Sequence, residues 1–228
     1  MNDPQTILEA RRAGRMTDDG AVWLFRDWSL SVAAGERLAL VGPSGSGKSV
    51  LLRALVLLDP LDAGQLLWHG RELVDHAVPH YRAQVIYLHQ RPAIIEGTVA
   101  QNLEYPFRFT IHRHRHFDRA RVEYWLEVLG RDLSFLAKQS RDLSGGEMQI
   151  TALLRAIQLQ PRILMLDEPT SALDQVTTEA VERCVNQWQR EAGKNRSLVV
   201  VSHDTEQVSR MADRRLSIQN GELVEDHG

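Results

Sequence analysis

Eight residues, GPSGSGKS at 42–49, constrain this chain more than any other stretch. They fit the pattern G-x-x-x-x-G-K-S/T. Before them runs a short apolar segment, ERLALVGP at 36–43, and after them Lys48 to Leu58 has helical character. A strand, a glycine turn and a helix in that order are the context a phosphate-cradling loop requires. Glycines let backbone N–H groups turn inward around phosphate oxygens without a Cβ clash. The helix that follows adds the positive end of its dipole. Lys48 would reach the β- and γ-phosphates, and the Ser49 hydroxyl would ligate Mg²⁺. The expected nucleotide contacts of the loop are Gly42, Pro43, Ser44, Gly45, Ser46, Gly47, Lys48, Ser49 and Val50. A glycine-rich structural turn is the plain alternative, and the flanking strand and helix argue against it.

A phosphate loop needs a second element to hold the metal. ILMLDEPTSALD at 163–174 opens with four apolar residues and then two acids. A buried strand ending in Asp167 fits the Mg²⁺-holding element of such an ATPase. One or two carboxylates suffice for Mg²⁺, because phosphate oxygens and water supply the rest. Glu168 points elsewhere and is placed to accept a proton from an attacking water.

Strand patterns also occur at 64–73, with a turn at Gly70, at 83–90 and at 197–204, and the chain closes on RRLSIQNGELVED, where Asn220-Gly221 is a hairpin signal. Between 91 and 160 the period changes. Val122, Trp125, Leu126 and Leu129 share one helical face, stopped by Gly130, and Ile150, Leu153, Leu154 and Ile157 share another, closed by Pro161. A further helix is expected from about 175 to 191. Strands alternating with helices at both ends predict a mainly parallel α/β core, built from residues 1–90 and 161–228, with a helical insert at 91–160.

Composition excludes several classes. Of 228 residues, 43% are hydrophobic and 25% charged, enough apolar material for a sizeable core. A net charge of −3 does not suit a protein that wraps nucleic acid by bulk charge, so no nucleic acid partner is expected. The single cysteine, Cys184, sits in a helical pattern and reads as a small core residue. The N-terminus MNDPQTILEARR has no apolar core of a signal peptide. No apolar run approaches the roughly 18 residues of a membrane span. A cytoplasmic protein is expected, docking peripherally on the inner face of the membrane.

LSGGE at 143–147 settles the family resemblance. GPSGSGKS, LSGGE, ILMLDE, SALD at 171–174 and VVVSHD at 199–204, in this order and over nearly the whole chain, resemble the ATP-binding subunit of ABC transporters. The resemblance implies a P-loop NTPase (RecA-like) core with an antiparallel β part and an inserted helical part. It implies ATP and Mg²⁺ as cofactors, and Mg-dependent ATP hydrolysis coupled to transport. Two glycines and a serine before a helix form a second phosphate-binding turn. One chain has no need of two cradles for one nucleotide, and in the family two subunits pack head to tail, so that each signature closes over the other's ATP. A homodimer with two composite sites is therefore implied, together with a separate membrane-spanning subunit.

Carried over residue by residue, Gln90 resembles the glutamine that touches Mg²⁺ and senses the transport domain. Ser144, Gly145 and Gly146 resemble the γ-phosphate contacts across the dimer. Glu168 resembles the catalytic base, Asp174 the residue at the dimer seam, and His203 the histidine that holds the γ-phosphate and attacking water. Glu147 stands where the family more often has Gln. At the adenine, the family stacks an aromatic residue where spacing here puts Arg15; a guanidinium plane can also stack, with Trp23 as the alternative. The stretch RPAIIEGTVAQNLEYPF at 91–107 most resembles the iron- or metal-export group of these subunits, and is close to phosphate-importer subunits. A soluble ABC ATPase acting on ribosomes or DNA is a further alternative.

IHRHRHF at 111–117 places three histidines at alternate positions. In an extended segment His112, His114 and His116 would share a side, a plausible metal geometry. A solvated connector at the entry to the helical insert is the expected reading.

Overall fold

The apolar runs at 163–167 and 197–201 become adjacent parallel strands whose residues are all buried. In the computed structural model, which describes residues 5–219 and 221–226, they lie inside a six-stranded sheet. The reading of the N-terminal segment rests in part on residues 1–4, and that of the C-terminal turn on Asn220; both lie outside the described residues.

The six-stranded sheet has the order β10-β9-β3-β8-β7-β6. Its strands are β3 (Arg37–Val41), β6 (Val85–Leu88), β7 (Ile163–Asp167), β8 (Ser197–Val201), β9 (Arg214–Gln219) and β10 (Glu222–Asp226). All neighbours run parallel except β9 and β10. A second sheet is antiparallel, in the order β2-β1-β4-β5, from β1 (Thr6–Met16), β2 (Trp23–Ala33), β4 (Ala63–Trp68) and β5 (Arg71–Glu72).

Period-two alternation lets β7 and β8 serve two cores at once. Ile163, Met165, Val199 and Val201 face a cluster with Leu8, Trp28, Leu51, Leu52 and Leu55, which joins the antiparallel sheet to helix α1 (Lys48–Leu55). Leu164, Leu166, Leu198 and Val200 face the opposite cluster, with Trp125, Ile150, Leu154, Cys184 and Trp188. That cluster is covered by α4 (Arg119–Val128), α5 (Gly145–Ile157) and α6 (Gln175–Glu191). The α/β architecture expected from the sequence is thus present. Cys184 is a buried core residue whose thiol pKa burial pushes up.

Residues 91–160 hold α3 (Val99–Glu104), α4, α5 and several short 3-10 turns, with only an isolated bridge between Thr98 and Gln139. The two apolar faces expected there are buried as expected, at Val122, Trp125, Leu126 and Leu129 and at Ile150, Leu153, Leu154 and Ile157. The remaining helices are α2 (Val78–Arg82) and α7 (Thr205–Met211).

Helix α1 is shorter than its pattern suggested. It ends at Leu55, and Leu57 takes a left-handed φ of 58°. Its last carbonyls are satisfied from outside: Tyr81 Oη donates to Leu55 O at 2.5 Å, and the Arg82 guanidinium donates to Val56 O and Leu57 O at 3.1 and 3.0 Å. With those acceptors capped, the chain turns into β4 instead of extending the helix.

Candidate active site

The strand ends β3, β7 and β8 converge with the turn before α1. Together they line a cavity of about 390 Å³. Gly42, Ser44 to Val50, Gln90, Asp167, Glu168 and His203 line it, and so do Leu24 and Val201. The loop can form because Gly47, the residue before α1, sits at φ 96°, where a side chain would be strained and a Cβ would lie 3.1 Å from Leu24 O. No side chain caps this helix, so its first amides keep their capacity for an external acceptor. Pro43 does not line the cavity. Its carbonyl, with that of Gly42, accepts from Lys48 Nζ at 2.7 and 2.8 Å. Lys48 is buried, which pulls its amine below the usual lysine pKa, while Glu168 and Asp167 pull it back.

Asp167 ends β7 and is 2% exposed. Glu168 follows in a left-handed conformation, φ 49°, an uncommon state for a non-glycine residue that costs on the order of 1–3 kcal/mol. Its amide donates to Val201 O at 2.9 Å, which pins the turn onto β8. The turn separates the two acids, as the sequence suggested. Glu168 Oε2 lies 2.7 Å from His203 Nδ1, 35 residues away, because β7 and β8 are neighbours and both residues follow their strand ends. The His203 side chain is 76% exposed, so its other ring edge faces solvent at the cavity mouth.

Gln90 is exposed after β6, and its amide donates to Ser171 Oγ at 3.3 Å. Ser144, Gly145, Gly146 and Asp174 are not among the residues that line this cavity. Ser144 caps α5, and Gly146 lies so close to the 171–174 segment that a Cβ would come 2.8 Å from Leu173 Cδ2. Asp174 caps α6, accepting from Thr177 N at 2.8 Å, and these Thr177 bonds hold its carboxyl below the usual range.

Arg15 lines a neighbouring cavity of about 550 Å³, with Thr17, Asp18, Asp19, Arg53 and Asp59; Leu24 lines both cavities. Its guanidinium is bound to Asp62 at 2.9 Å and Asp18 at 2.7 Å. Trp23 lines neither. Its ring lies over Gly14, where a Cβ would be 2.8 Å from Cζ3, and carries the Arg26 guanidinium 5.0 Å from its centroid.

The histidine stretch departs from its expected form. His112 ends a 3-10 turn and is buried, while His114 and His116 are exposed, so the segment is not a uniformly solvated connector. Burial, with the nearby Arg115 charge, lowers the His112 pKa. The turn, in place of an extended strand, removes the shared side on which a three-histidine site would depend. No group of three or more His, Cys, Asp or Glu that could hold a metal occurs among the described residues.

Three residues of the site escaped the sequence reading. Leu24 and Val201 line the cavity, and Tyr87 donates to Asp167 Oδ2 at 2.7 Å. Tyr87 lies inside the strand expected at 83–90, and nothing in a strand pattern singles out its hydroxyl.

A family profile described as ABC transporter matches residues 25–171, more than half of the chain. The chain is 33% identical over 227 residues to the "Probable iron export ATP-binding protein FetA" of Escherichia coli (strain K12), covering 99% of this chain and 97% of that protein. It is 32% identical over 211 residues to the "Phosphate import ATP-binding protein PstB" of Colwellia psychrerythraea, covering 86% and 73%. Among solved structures, the dimeric post-hydrolysis state of the ATP-binding cassette MJ0796 bound to ADP and Pi matches with a TM-score of 0.84 at 27% identity, covering 96% of this chain and 98% of that one.

Proposed function

This chain belongs to the ABC transporter family as an ATP-binding and ATP-hydrolysing subunit, and on that footing we propose how its residues divide the work. The observation that carries the reading is the 2.7 Å contact of Glu168 with His203 at the mouth of the cavity that the phosphate loop lines. The loop amides and the start of α1 bind the nucleotide phosphates. Lys48 exchanges its two carbonyl partners for phosphate oxygens. The Ser49 hydroxyl, the Asp167 carboxylate and the Gln90 amide oxygen offer hard oxygen donors in one cavity, a set that fits Mg²⁺. When bound, that ion neutralises charge on the β- and γ-phosphate oxygens.

Glu168 then orients a water and takes its proton as the oxygen bonds to the γ-phosphorus and the bond to ADP breaks. The pinned turn and His203 hold the carboxylate for that role, and His203 also reaches the γ-phosphate. Catalysis of this kind is mostly positioning and charge stabilisation. Arg15 offers its guanidinium face to adenine from the adjoining cavity.

Ser144, Gly145 and Gly146 act on a second chain's nucleotide. Two copies pack head to tail, Asp174 lies at their seam, and closure on ATP drives a separate membrane-spanning protein. No helix among the described residues is long and apolar enough to cross a membrane itself. On this reading the subunit docks peripherally on that membrane protein, at the cytoplasmic face. Similarity to the iron-export relative over nearly both full lengths favours metal or iron export. Phosphate import is the second reading, favoured by the phosphate-import relative.

Mixing two inactive variants tests the composite site. A Lys48→Ala chain keeps its signature, and a Ser144→Ala chain keeps its phosphate loop. Mixed, they rebuild one intact site and regain turnover; no regain overturns the head-to-tail arrangement. Glu168→Gln tests the base, with turnover expected to fall about 10²–10⁴-fold. Cells lacking the chain should accumulate iron, and a loss of phosphate uptake instead would favour import.

A further inference from the structure

Tyr87 makes a contact that its place in the core does not require. Its ring packs at the edge of the cluster containing Leu51, Leu52 and Met165, a position an apolar ring would fill. The phenol reaches across from β6 to the end of β7, where it donates to Asp167 Oδ2 at 2.7 Å. No other hydrogen bond reaches the Asp167 side chain among the described residues.

Two physical points give the contact weight. The terminal torsion of an aspartate is broad, so a single donor decides where the carboxylate plane lies. The nature of the donor matters as well. An arginine or lysine would fix the plane but cancel the charge a divalent cation needs. A phenol fixes it and adds no charge, since it is an uncharged donor at neutral pH. The other charged groups near Tyr87, Arg53 and Asp59, are paired with each other at 2.8 Å. Oδ1 and the remaining lone pair of Oδ2 are left for the metal.

We propose that Tyr87 is a positioning residue for the metal-holding carboxylate of Asp167, setting the affinity of the site for the divalent cation that accompanies ATP. The proposal rests on the reading of Asp167 as the Mg²⁺ holder. Hydrogen-bond partners behind a metal ligand commonly contribute 10–100-fold to affinity. A neutral partner belongs at the lower end.

The test uses Mn²⁺ as a paramagnetic probe of the ADP-loaded full chain, comparing wild type, Tyr87→Phe, Tyr87→Met and Asp167→Asn. Tyr87→Phe should raise the Mn²⁺ dissociation constant about tenfold. Nucleotide binding in EDTA should stay at the wild-type level, and kcat should recover at saturating Mg²⁺. A purely packing role would instead lower the melting temperature in EDTA and leave metal affinity alone. Tyr87→Met removes the hydroxyl in a second way, which separates loss of the donor from loss of the ring. If Asp167→Asn weakens Mn²⁺ and neither Tyr87 variant does, the proposal is overturned while the metal site stands. If Asp167→Asn also leaves Mn²⁺ affinity unchanged, the metal assignment fails and takes the proposal with it.

Discussion

Helices α1 and α5 both begin on glycine-bearing turns, and they finish those turns in opposite ways. Before α1, Gly47 is left-handed and no side chain caps the helix. Before α5, the chain caps itself: Ser144 Oγ accepts from Glu147 N at 3.2 Å, and the Glu147 carboxylate accepts from Ser144 N at 3.0 Å. Lys138 then covers that carboxylate at 2.6 Å. The first turn leaves donors and a buried cation for a large anion. The second is already satisfied and close to neutral, so it holds its shape without ligand; on the proposed reading it adds a few contacts to a nucleotide held by a second chain. Similar composition therefore gives an open turn in one case and a self-capped turn in the other.

The largest expected effect separates them at the cradle. Lys48 is the buried cation of the first turn, and no residue of the second replaces it. Lys48→Ala should weaken ATP binding about 10–100-fold, the range for losing a hydrogen bond to a charged group. A fluorescent nucleotide titration reads it. Binding that survives would break the comparison at its root.

Ser144→Ala should act the other way round. It removes the cap of α5 at a cost of about 1 kcal/mol, seen as a lower melting temperature. Binding of ATP to the single chain should stay intact while turnover of the dimer falls. If ATP binding falls with it, α5 is part of the cradle in its own chain and the division of labour is wrong.

Lys138 sharpens the comparison further. Without it, the Glu147 carboxylate keeps only the Arg131 charge and the Ser144 amide, beside a turn proposed to meet phosphate. Lys138→Met should raise the KM for ATP about twofold to fivefold, as expected for a half-exposed ion pair. The double change Lys138→Met with Glu147→Gln should restore it. Failure of the double variant would show that Lys138 acts by packing and not by charge. This pair also accounts for how the chain accepts Glu where the family more often carries Gln: the charge is matched nine residues upstream.

These contrasts differ in how far the sequence reveals them. The phosphate loop is legible because its chemistry is backbone chemistry, local to eight residues between a strand and a helix. Helix faces such as Trp125 and Leu126 are legible from periodicity alone. Glu168 and His203 are 35 residues apart, and only the parallel pairing of β7 with β8 joins them; the family resemblance gave each a role but not their contact. At Arg15 the pattern fails. β1 carries register shifts between Ala10 and Ala13 and between Ala13 and Arg15, with Arg12 at φ 44°, so alternation no longer tells which way Arg15 points. The histidines misled for a related reason, since alternation has meaning in a strand and IHRHRHF begins with a 3-10 turn. Tyr87 was hidden because one side chain does two jobs, and period two sees only the buried one.

The smallest effect is a pH dependence, and its sign follows from the Glu147 pair. Burial alone would raise the Glu147 pKa; the bond from Lys138 and the Ser144 amide outweigh it, and the net shift is downward. A carboxyl held below its unfolded value, near 4.3, stabilises the fold at pH above that value. The contribution disappears as acid protonates Glu147 in the folded state. The Lys138 side chain is 44% exposed, so solvent screening limits the pair to less than about 1 kcal/mol. Wild type should therefore melt above Lys138→Met at pH 7, and the gap should begin to narrow below about 4.3 and close as the pH falls through the lower folded-state value. A gap that persists in acid would mean that Lys138 supports the signature turn through its aliphatic stem. In that case the second turn would be held by packing, and its electrical neutrality would cease to distinguish it from the first.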